Sequence, residues 1–141
     1  MYSFVPKRFG MLSVLVVDDL QIDRLILKKQ LGSDYRVTTL SSALEAKAFA
    51  HTHTFDIALL NVMLLNDLDC IELLKDLENI TEREFLSIAI TCHIDAPRQH
   101  KIMASGFKAI MTKPFDKNVF RDIVYKNTNI EESAMAFILR K

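Results

Sequence analysis

The sequence has no excess charge, no long apolar run and few cysteines, and each absence excludes a class of protein. Its 18 basic and 18 acidic residues cancel, so no overall field attracts the chain to nucleic acid or to anionic lipid. No apolar run approaches the length of a membrane span, and the amino terminus lacks the apolar core of a signal peptide. We therefore expect a cytoplasmic protein with no membrane insertion.

Only two cysteines are present, Cys70 and Cys92, and they lack the spacing of metal ligands. We expect reduced thiols that fill apolar space, as is usual in the cytoplasm. His51 and His53 are two residues apart, but no third ligand is close in sequence. We interpret them as solvated surface histidines, because a structural zinc site needs four ligands.

At 141 residues the chain suits one domain. Short apolar runs alternate with helical patterns, which predicts an α/β domain with a parallel sheet. We divide the chain into an N-terminal leader (1–10), a domain (11–127) and a C-terminal amphipathic helix or linker (128–141). The predicted strands are Leu12–Val17, Tyr35–Leu40, Phe55–Asn61, Phe85–Thr91 and Ala109–Thr112.

Five helices are predicted between and after the strands. The first places Ile22, Leu25 and Ile26 at helical spacing, and Gly32 is expected to end it in a left-handed conformation. The loops before and after the third helix are predicted over 62–69 and 79–84. The first, third and fourth helices are predicted over Leu20–Leu31, Cys70–Leu77 and Pro97–Ser105. The second is opened by a Ser42–Glu45 capping box and runs to about His51, and the fifth is capped by Asp116 or Asn118.

Polar side chains stand where four of the predicted strands end. Asp18 and Asp19 follow the first strand, Asn61 and Thr91 end the third and fourth, and Lys113 follows the fifth. Right-handed connections in a doubly wound sheet bring these ends to one crevice. The sequence therefore predicts that Asn61 lies in a ligand-binding crevice beside two carboxylates.

Four motifs resemble the receiver domain of two-component response regulators. They are VLVVDD from Val14, DIALLNVM from Asp56, LDCIEL from Leu68, and ASG from Ala104 followed by KPF from Lys113. The match spans roughly Met11 to Asn127, which is most of the chain, and four motifs in order are far more specific than one. The resemblance implies a flavodoxin-like (CheY-like) doubly wound sheet of five parallel strands in order 2-1-3-4-5, with helices on both faces.

The resemblance also implies a role for each polar residue in the crevice. In receivers a strand-three aspartate accepts a phosphoryl group from a histidine kinase, and it binds magnesium together with an acidic pair. Asp18 and Asp19 match the acidic pair, and the backbone carbonyl of Met63 matches a further metal ligand. Thr91 and Lys113 match the positions that contact the phosphoryl oxygens. The magnesium ion and the lysine ammonium neutralise the negative charge of those oxygens.

The sequence departs from the receiver pattern at the phosphoacceptor itself. Asn61 occupies that position, and an amide oxygen is too weak a nucleophile to form an acyl phosphate. Ile110 replaces the aromatic switch residue of many receivers, whereas Lys113–Pro114 retains the position of their common cis peptide. We therefore predict a pseudo-receiver, not an enzyme, that acts in a phosphorelay through protein–protein interaction.

The alternative is a working receiver that uses a substitute aspartate and magnesium-dependent autophosphorylation. Asp56 is expected on the wrong side of the sheet, and Asp67 and Asp69 lie in the predicted loop. No cofactor is required by our interpretation. The sequence leaves two roles open for Asp18 and Asp19, which are weak magnesium binding or a purely structural role as a helix cap and a counter-charge for Lys113.

The resemblance implies a signalling partner, which is a histidine kinase, another receiver or an output domain. A homodimer is a further option, and nucleic acid would be contacted only through an output domain outside this sequence. The sequence leaves open the partner, the output, and whether the domain is held in an active-like or an inactive-like state.

Overall fold

The computed structural model describes residues 11–62, 67–93 and 95–128. Within these residues, five strands alternate with five helices. The strands are β1 Ser13–Val17, β2 Arg36–Leu40, β3 Ile57–Asn61, β4 Leu86–Thr91 and β5 Ala109–Thr112. The helices are α1 Gln21–Leu31, α2 Ala43–Thr52, α3 Asp67–Ile80, α4 Ala96–Ala104 and α5 Lys117–Lys126. The leader and the C-terminal helix that we predicted lie outside the described residues.

The strands form one parallel sheet in the order β2-β1-β3-β4-β5, so the predicted fold class is confirmed. In the sheet register Asn61 pairs with Ile90 of β4, and Thr91 pairs with Thr112 of β5. Because all the strands run in the same direction, the polar residues at their carboxyl ends share one edge. We call this edge the carboxyl edge.

Helices cover both faces of the sheet, which explains why the central strands are apolar throughout rather than alternating. Alternate residues of β3 enter two separate clusters. Ala58 and Leu60 pack in a cluster with residues of α2, α3 and α4. Ile57 and Leu59 pack in the other cluster with residues of α1 and α5.

The first helix buries a different stripe from the one that its spacing suggested. Ile22, Leu25 and Ile26 are exposed, whereas Leu27 and Leu31 are buried against the sheet. Both stripes have helical spacing, so the pattern predicted the helix but not the direction in which it faces. The exposed apolar residues are therefore a surface feature of α1.

Gly32 ends α1 as predicted, but the left-handed conformation expected for it and the bounds expected for α3 are wrong. Helix α3 runs from Asp67 to Ile80, beyond both predicted ends, and Ile80 packs against the core one turn after the last predicted apolar residue. Gly32 has a right-handed conformation with φ of −65°. A Cβ atom there would lie 2.6 Å from the Lys28 carbonyl oxygen, so close backbone approach, not a left-handed turn, favours glycine.

Side-chain caps set the starts of three helices. The Ser42 hydroxyl accepts a hydrogen bond from the Glu45 backbone N–H at 3.1 Å, while the Glu45 carboxylate accepts from the Ser41 backbone N–H at 2.8 Å. In a standard capping box Glu45 would accept from the N–H of Ser42, so the returning hydrogen bond here comes from the residue before the one predicted. Asp95 caps α4, and Asp116 is the cap of α5. Among the residues that the structure describes, no helix is long and apolar enough to span a membrane.

Candidate functional site

Asp18 is the centre of the hydrogen-bond network at the carboxyl edge, and its side chain is fully buried. Its Oδ1 atom accepts hydrogen bonds from the Leu20 backbone N–H at 3.0 Å and from Asn61 Nδ2 at 3.3 Å. Its Oδ2 atom accepts from Lys113 Nζ at 3.1 Å. A buried carboxylate needs partners of this kind to offset its desolvation. The contact with Leu20 places Asp18 beside the start of α1, where Leu20 itself is the N-cap.

Asn61 is bound through its amide nitrogen, and its amide oxygen has no partner within the described part of the chain. Its side chain ends β3 and the residue is 2% exposed. Nδ2 donates to Asp18 Oδ1 and to Asp19 Oδ1, at 3.3 Å in each case. Oδ1 is buried and accepts no hydrogen bond from the residues that the structure describes. An unsatisfied buried carbonyl is uncommon in folded proteins, which marks this atom as a place where the site differs from a fully paired core.

Lys113 contacts a carboxylate that the sequence analysis did not identify. Its Nζ donates to Asp23 Oδ2 at 2.6 Å and to Asp18 Oδ2 at 3.1 Å. Burial alone lowers the pKa of Lys113, but the hydrogen bonds and charges of Asp23 and Asp18 raise it above its ordinary value overall. Asp23 lies in the first turn of α1, about one helical turn after the acidic pair. This spacing was the only sequence signal that could have placed it at the carboxyl edge.

Thr91 reaches the edge, but its hydroxyl points into the loop after β4. The hydroxyl donates to the His93 carbonyl at 3.1 Å and accepts from the His93 N–H at 3.4 Å. Ile110 is partly buried and packs against the core cluster. Met63, our predicted backbone ligand, lies outside the described residues.

The cysteines and histidines do not join the site. Cys70 is buried, in agreement with a packing role, but Cys92 is exposed, so its predicted role in packing is wrong. Cys92 follows the last residue of β4, where the chain leaves the core for a surface loop. His51 and His53 are exposed, and His53 stacks on Phe49 with ring centroids 4.4 Å apart.

The candidate substitute aspartates do not all reach the carboxyl edge. Asp56 precedes β3, and its carboxylate accepts from the Ser13 N–H at 2.8 Å and from Arg83 at 2.6 Å. This ion pair lies at the opposite edge of the sheet from Asn61. Asp67 and Asp69 belong to the first turn of α3 rather than to a loop, and their side chains lie outside the described residues. The Lys113–Pro114 peptide bond is cis.

The residues at the carboxyl edge fit a magnesium ion only in part. Two carboxylates and an amide oxygen are suitable hard ligands, but Asn61 turns Nδ2, not Oδ1, toward Asp18 and Asp19. Asp18 Oδ2 is also paired with Lys113. Within the described part of the chain, no group of three or more histidine, cysteine, aspartate or glutamate side chains is arranged to hold a metal.

Comparison with known proteins identifies the family. The family model of the response regulator receiver domain matches residues 14–125. The chain belongs to the response regulator receiver family. It is therefore a receiver domain of the kind found in two-component signalling.

Solved receiver structures share the fold of this receiver. FixJ-N is 27% identical with a TM-score of 0.68, and the match covers 80% of this chain and 90% of that one. Vibrio cholerae CheY4 is 22% identical with a TM-score of 0.73, covering 84% and 99%. The receiver domain of the sensor histidine kinase PA1611 from Pseudomonas aeruginosa is 18% identical with a TM-score of 0.66, covering 84% and 98%, and its structure has a magnesium ion in the active-site cleft.

Proposed function

We propose that this receiver is a pseudo-receiver, which is not phosphorylated at Asn61 and acts through protein–protein interaction in a phosphorelay. The observation that carries the proposal is the state of Asn61. A neutral amide ends β3, and its nitrogen faces two carboxylates at 3.3 Å. Phosphoryl transfer needs an anionic oxygen that is positioned in line with the donor. Neither amide atom supplies one.

Two other carboxylates at this edge, those of Asp18 and Asp23, are already engaged. Asp18 is fully buried and accepts three hydrogen bonds, and Asp23 holds Lys113. Asp56 is paired with Arg83 at the opposite edge. These contacts argue against Asp18, Asp23 and Asp56 as substitute phosphoacceptors, because an acceptor carboxylate must present a free oxygen to the incoming phosphoryl group.

Magnesium binding, if retained, is weak in this proposal. Asp18, Asp19 and Asn61 would hold the ion, which would supply charge neutralisation at the site. The Asn61 amide would have to turn so that Oδ1 replaces Nδ2, and both of its hydrogen bonds to the carboxylates would be lost. The protein therefore works without a required cofactor.

The surface of α1 supports a role in protein interaction. Ile22, Leu25 and Ile26 share one helical face and are 62%, 57% and 40% exposed, and Leu20 beside them is 51% exposed. Single exposed apolar residues are ordinary, but a contiguous group is typical of an interaction site. The group begins next to the carboxyl edge. The partner that suits it is a signalling protein with an apolar helical surface, whether a kinase, another receiver or an output domain.

Intact-mass measurement after incubation with magnesium and acetyl phosphate tests the proposal. The natural protein should gain no phosphoryl group, because Asn61 supplies no nucleophile. Asn61→Asp is the matched positive control, since it restores a carboxylate and should gain one phosphoryl group. A stoichiometric gain by the natural protein would overturn the proposal. Peptide mapping of that product would then identify the substitute aspartate.

A further inference from the structure

Lys113 has an acidic partner on α1 that is closer than Asp18, its partner directly after β1. Nζ lies 2.6 Å from Asp23 Oδ2 and 3.1 Å from Asp18 Oδ2. The Lys113 and Asp23 side chains are 16% and 21% exposed, so water screens this pair less than a surface ion pair. Asn61 Oδ1, although buried nearby, receives no hydrogen bond from this ammonium.

We propose that Asp23 is a positioning residue that serves as the permanent anionic partner of Lys113, in place of an anion on β3. The edge keeps three carboxylates, Asp18, Asp19 and Asp23, but the third is on α1 instead of β3. Lys113 is therefore fixed without a phosphoryl group. The inference rests on the proposed function, because a permanent partner for Lys113 is useful only where no phosphoryl group arrives.

The position of Asp23 suits this role for two reasons. It lies in the first turn of α1, where the helix dipole stabilises a negative charge. Its carboxylate is also carried by a helix that packs on the sheet through Leu27 and Leu31, so the acidic side of the ion pair is held by a helix and not by a loop. Asp18 is less suited to hold Lys113 alone, since its other oxygen already accepts hydrogen bonds from Leu20 and Asn61.

Amine-reactive labelling of the natural protein tests the inference. An excess of an acetylating ester is added, and the labelling rate of each lysine is read by peptide mass spectrometry. Asp23→Asn should label Lys113 about fivefold faster, because the ammonium loses its shorter ion pair. Asp23→Glu should keep the slow rate by restoring the charge. Lys101 and Lys117, which are exposed on other helices, serve as internal standards.

The matched control is Asp34→Asn, which removes an exposed carboxylate after the far end of α1. It should leave the Lys113 rate unchanged. Circular dichroism of each variant checks that the fold is retained. An unchanged Lys113 rate in Asp23→Asn, or an equal increase in Asp23→Glu, would overturn the inference. Labelling does not measure phosphorylation, so a failure here is distinguishable from failure of the proposed function.

A second measurement uses the phosphoryl analogue beryllium fluoride with magnesium. In the Asn61→Asp background the new carboxylate and Asp23 compete for Lys113, so adding Asp23→Asn should tighten analogue binding about fivefold by calorimetry. Adding Asp34→Asn instead should have no effect. Unchanged or weaker analogue binding in the Asp23→Asn double variant would contradict the role of Asp23.

Discussion

Replacing Asn61 with aspartate should destabilise the metal-free domain, and the structure indicates by how much. The amide of Asn61 donates to Asp18 Oδ1 and Asp19 Oδ1 at 3.3 Å. Asn61→Asp removes both hydrogen bonds to charged acceptors, which contribute about 1.5–3 kcal/mol each when well formed. It also places a negative charge beside the carboxylates of Asp18 and Asp19. Two like charges about 4 Å apart repel each other by about 1 kcal/mol in water and about 4 kcal/mol near a protein surface.

Three effects keep the loss below the sum of these terms. The hydrogen bonds are long, Asp19 is exposed to water, and Lys113 is close enough to Asp18 to offset part of the new charge. Proton uptake by the new carboxylate limits the remainder, since each unit of raised pKa corresponds to about 1.4 kcal/mol. We therefore expect a loss of about 2–4 kcal/mol in the free energy of unfolding at neutral pH.

Urea unfolding followed by circular dichroism in the presence of a chelator measures this loss. The matched control is Asn79→Asp, which adds the same charge at an exposed position of α3 and should change stability by less than about 0.5 kcal/mol. Magnesium should stabilise Asn61→Asp more than the natural protein, because the ion binds a site with a third carboxylate more tightly.

The pH dependence provides an independent check of the cause. Repulsion raises the pKa of the introduced carboxylate in the folded state. The folded variant then binds more protons than the unfolded chain, so the repulsive part of its deficit grows as pH rises above the unfolded pKa of about 4 and disappears below it. Equal unfolding midpoints in chelator at neutral pH would refute the reasoning, and a deficit that persists unchanged in acid would show that the cause is not repulsion.

Two further predictions concern other parts of the domain. Burial, and then the charge of Asp34, raise the pKa of Tyr35 to about 12. The neutral phenol therefore stabilises the fold below about pH 10, and the free energy of unfolding should fall by roughly 2–3 kcal/mol from about pH 10 to about pH 12. Urea unfolding across this range should show a smaller loss in Tyr35→Phe, and an equal loss would contradict the assignment. The double variant Ile22→Glu, Leu25→Glu should abolish binding to a signalling partner in a pull-down from the native host and leave the unfolding midpoint nearly unchanged. The control variant Leu44→Glu changes another exposed apolar position and should retain binding.

Much of the fold could be predicted from the sequence because strong local patterns agreed with one topology. Buried parallel strands are continuously apolar, so β1, β3 and β4 stood out as aliphatic runs. The position of Asn61 at a strand end then followed from chain direction alone. The ends of α3 were predicted less well, because polar residues at helix ends carry little periodic signal.

The direction in which α1 faces could not be predicted, since it has two apolar stripes. Leu27 and Leu31 fit the space over the sheet, while Ile22, Leu25 and Ile26 are left in solvent. Which stripe is buried depends on the rotation of the helix about its axis, and that rotation is set by packing against α5 and the sheet.

The sequence by itself determined most of the chemical groups at the carboxyl edge, including the Asn61 amide, but not the Asp23 carboxylate. Only the tertiary structure decided how those groups pair. Lys113 binds Asp23, ninety residues earlier in the chain, and Asp56 binds Arg83 at the opposite edge. Strand order and direction follow from local patterns and the handedness of connections, whereas the choice among several nearby charges depends on differences of an ångström or less, which only the packed chain specifies.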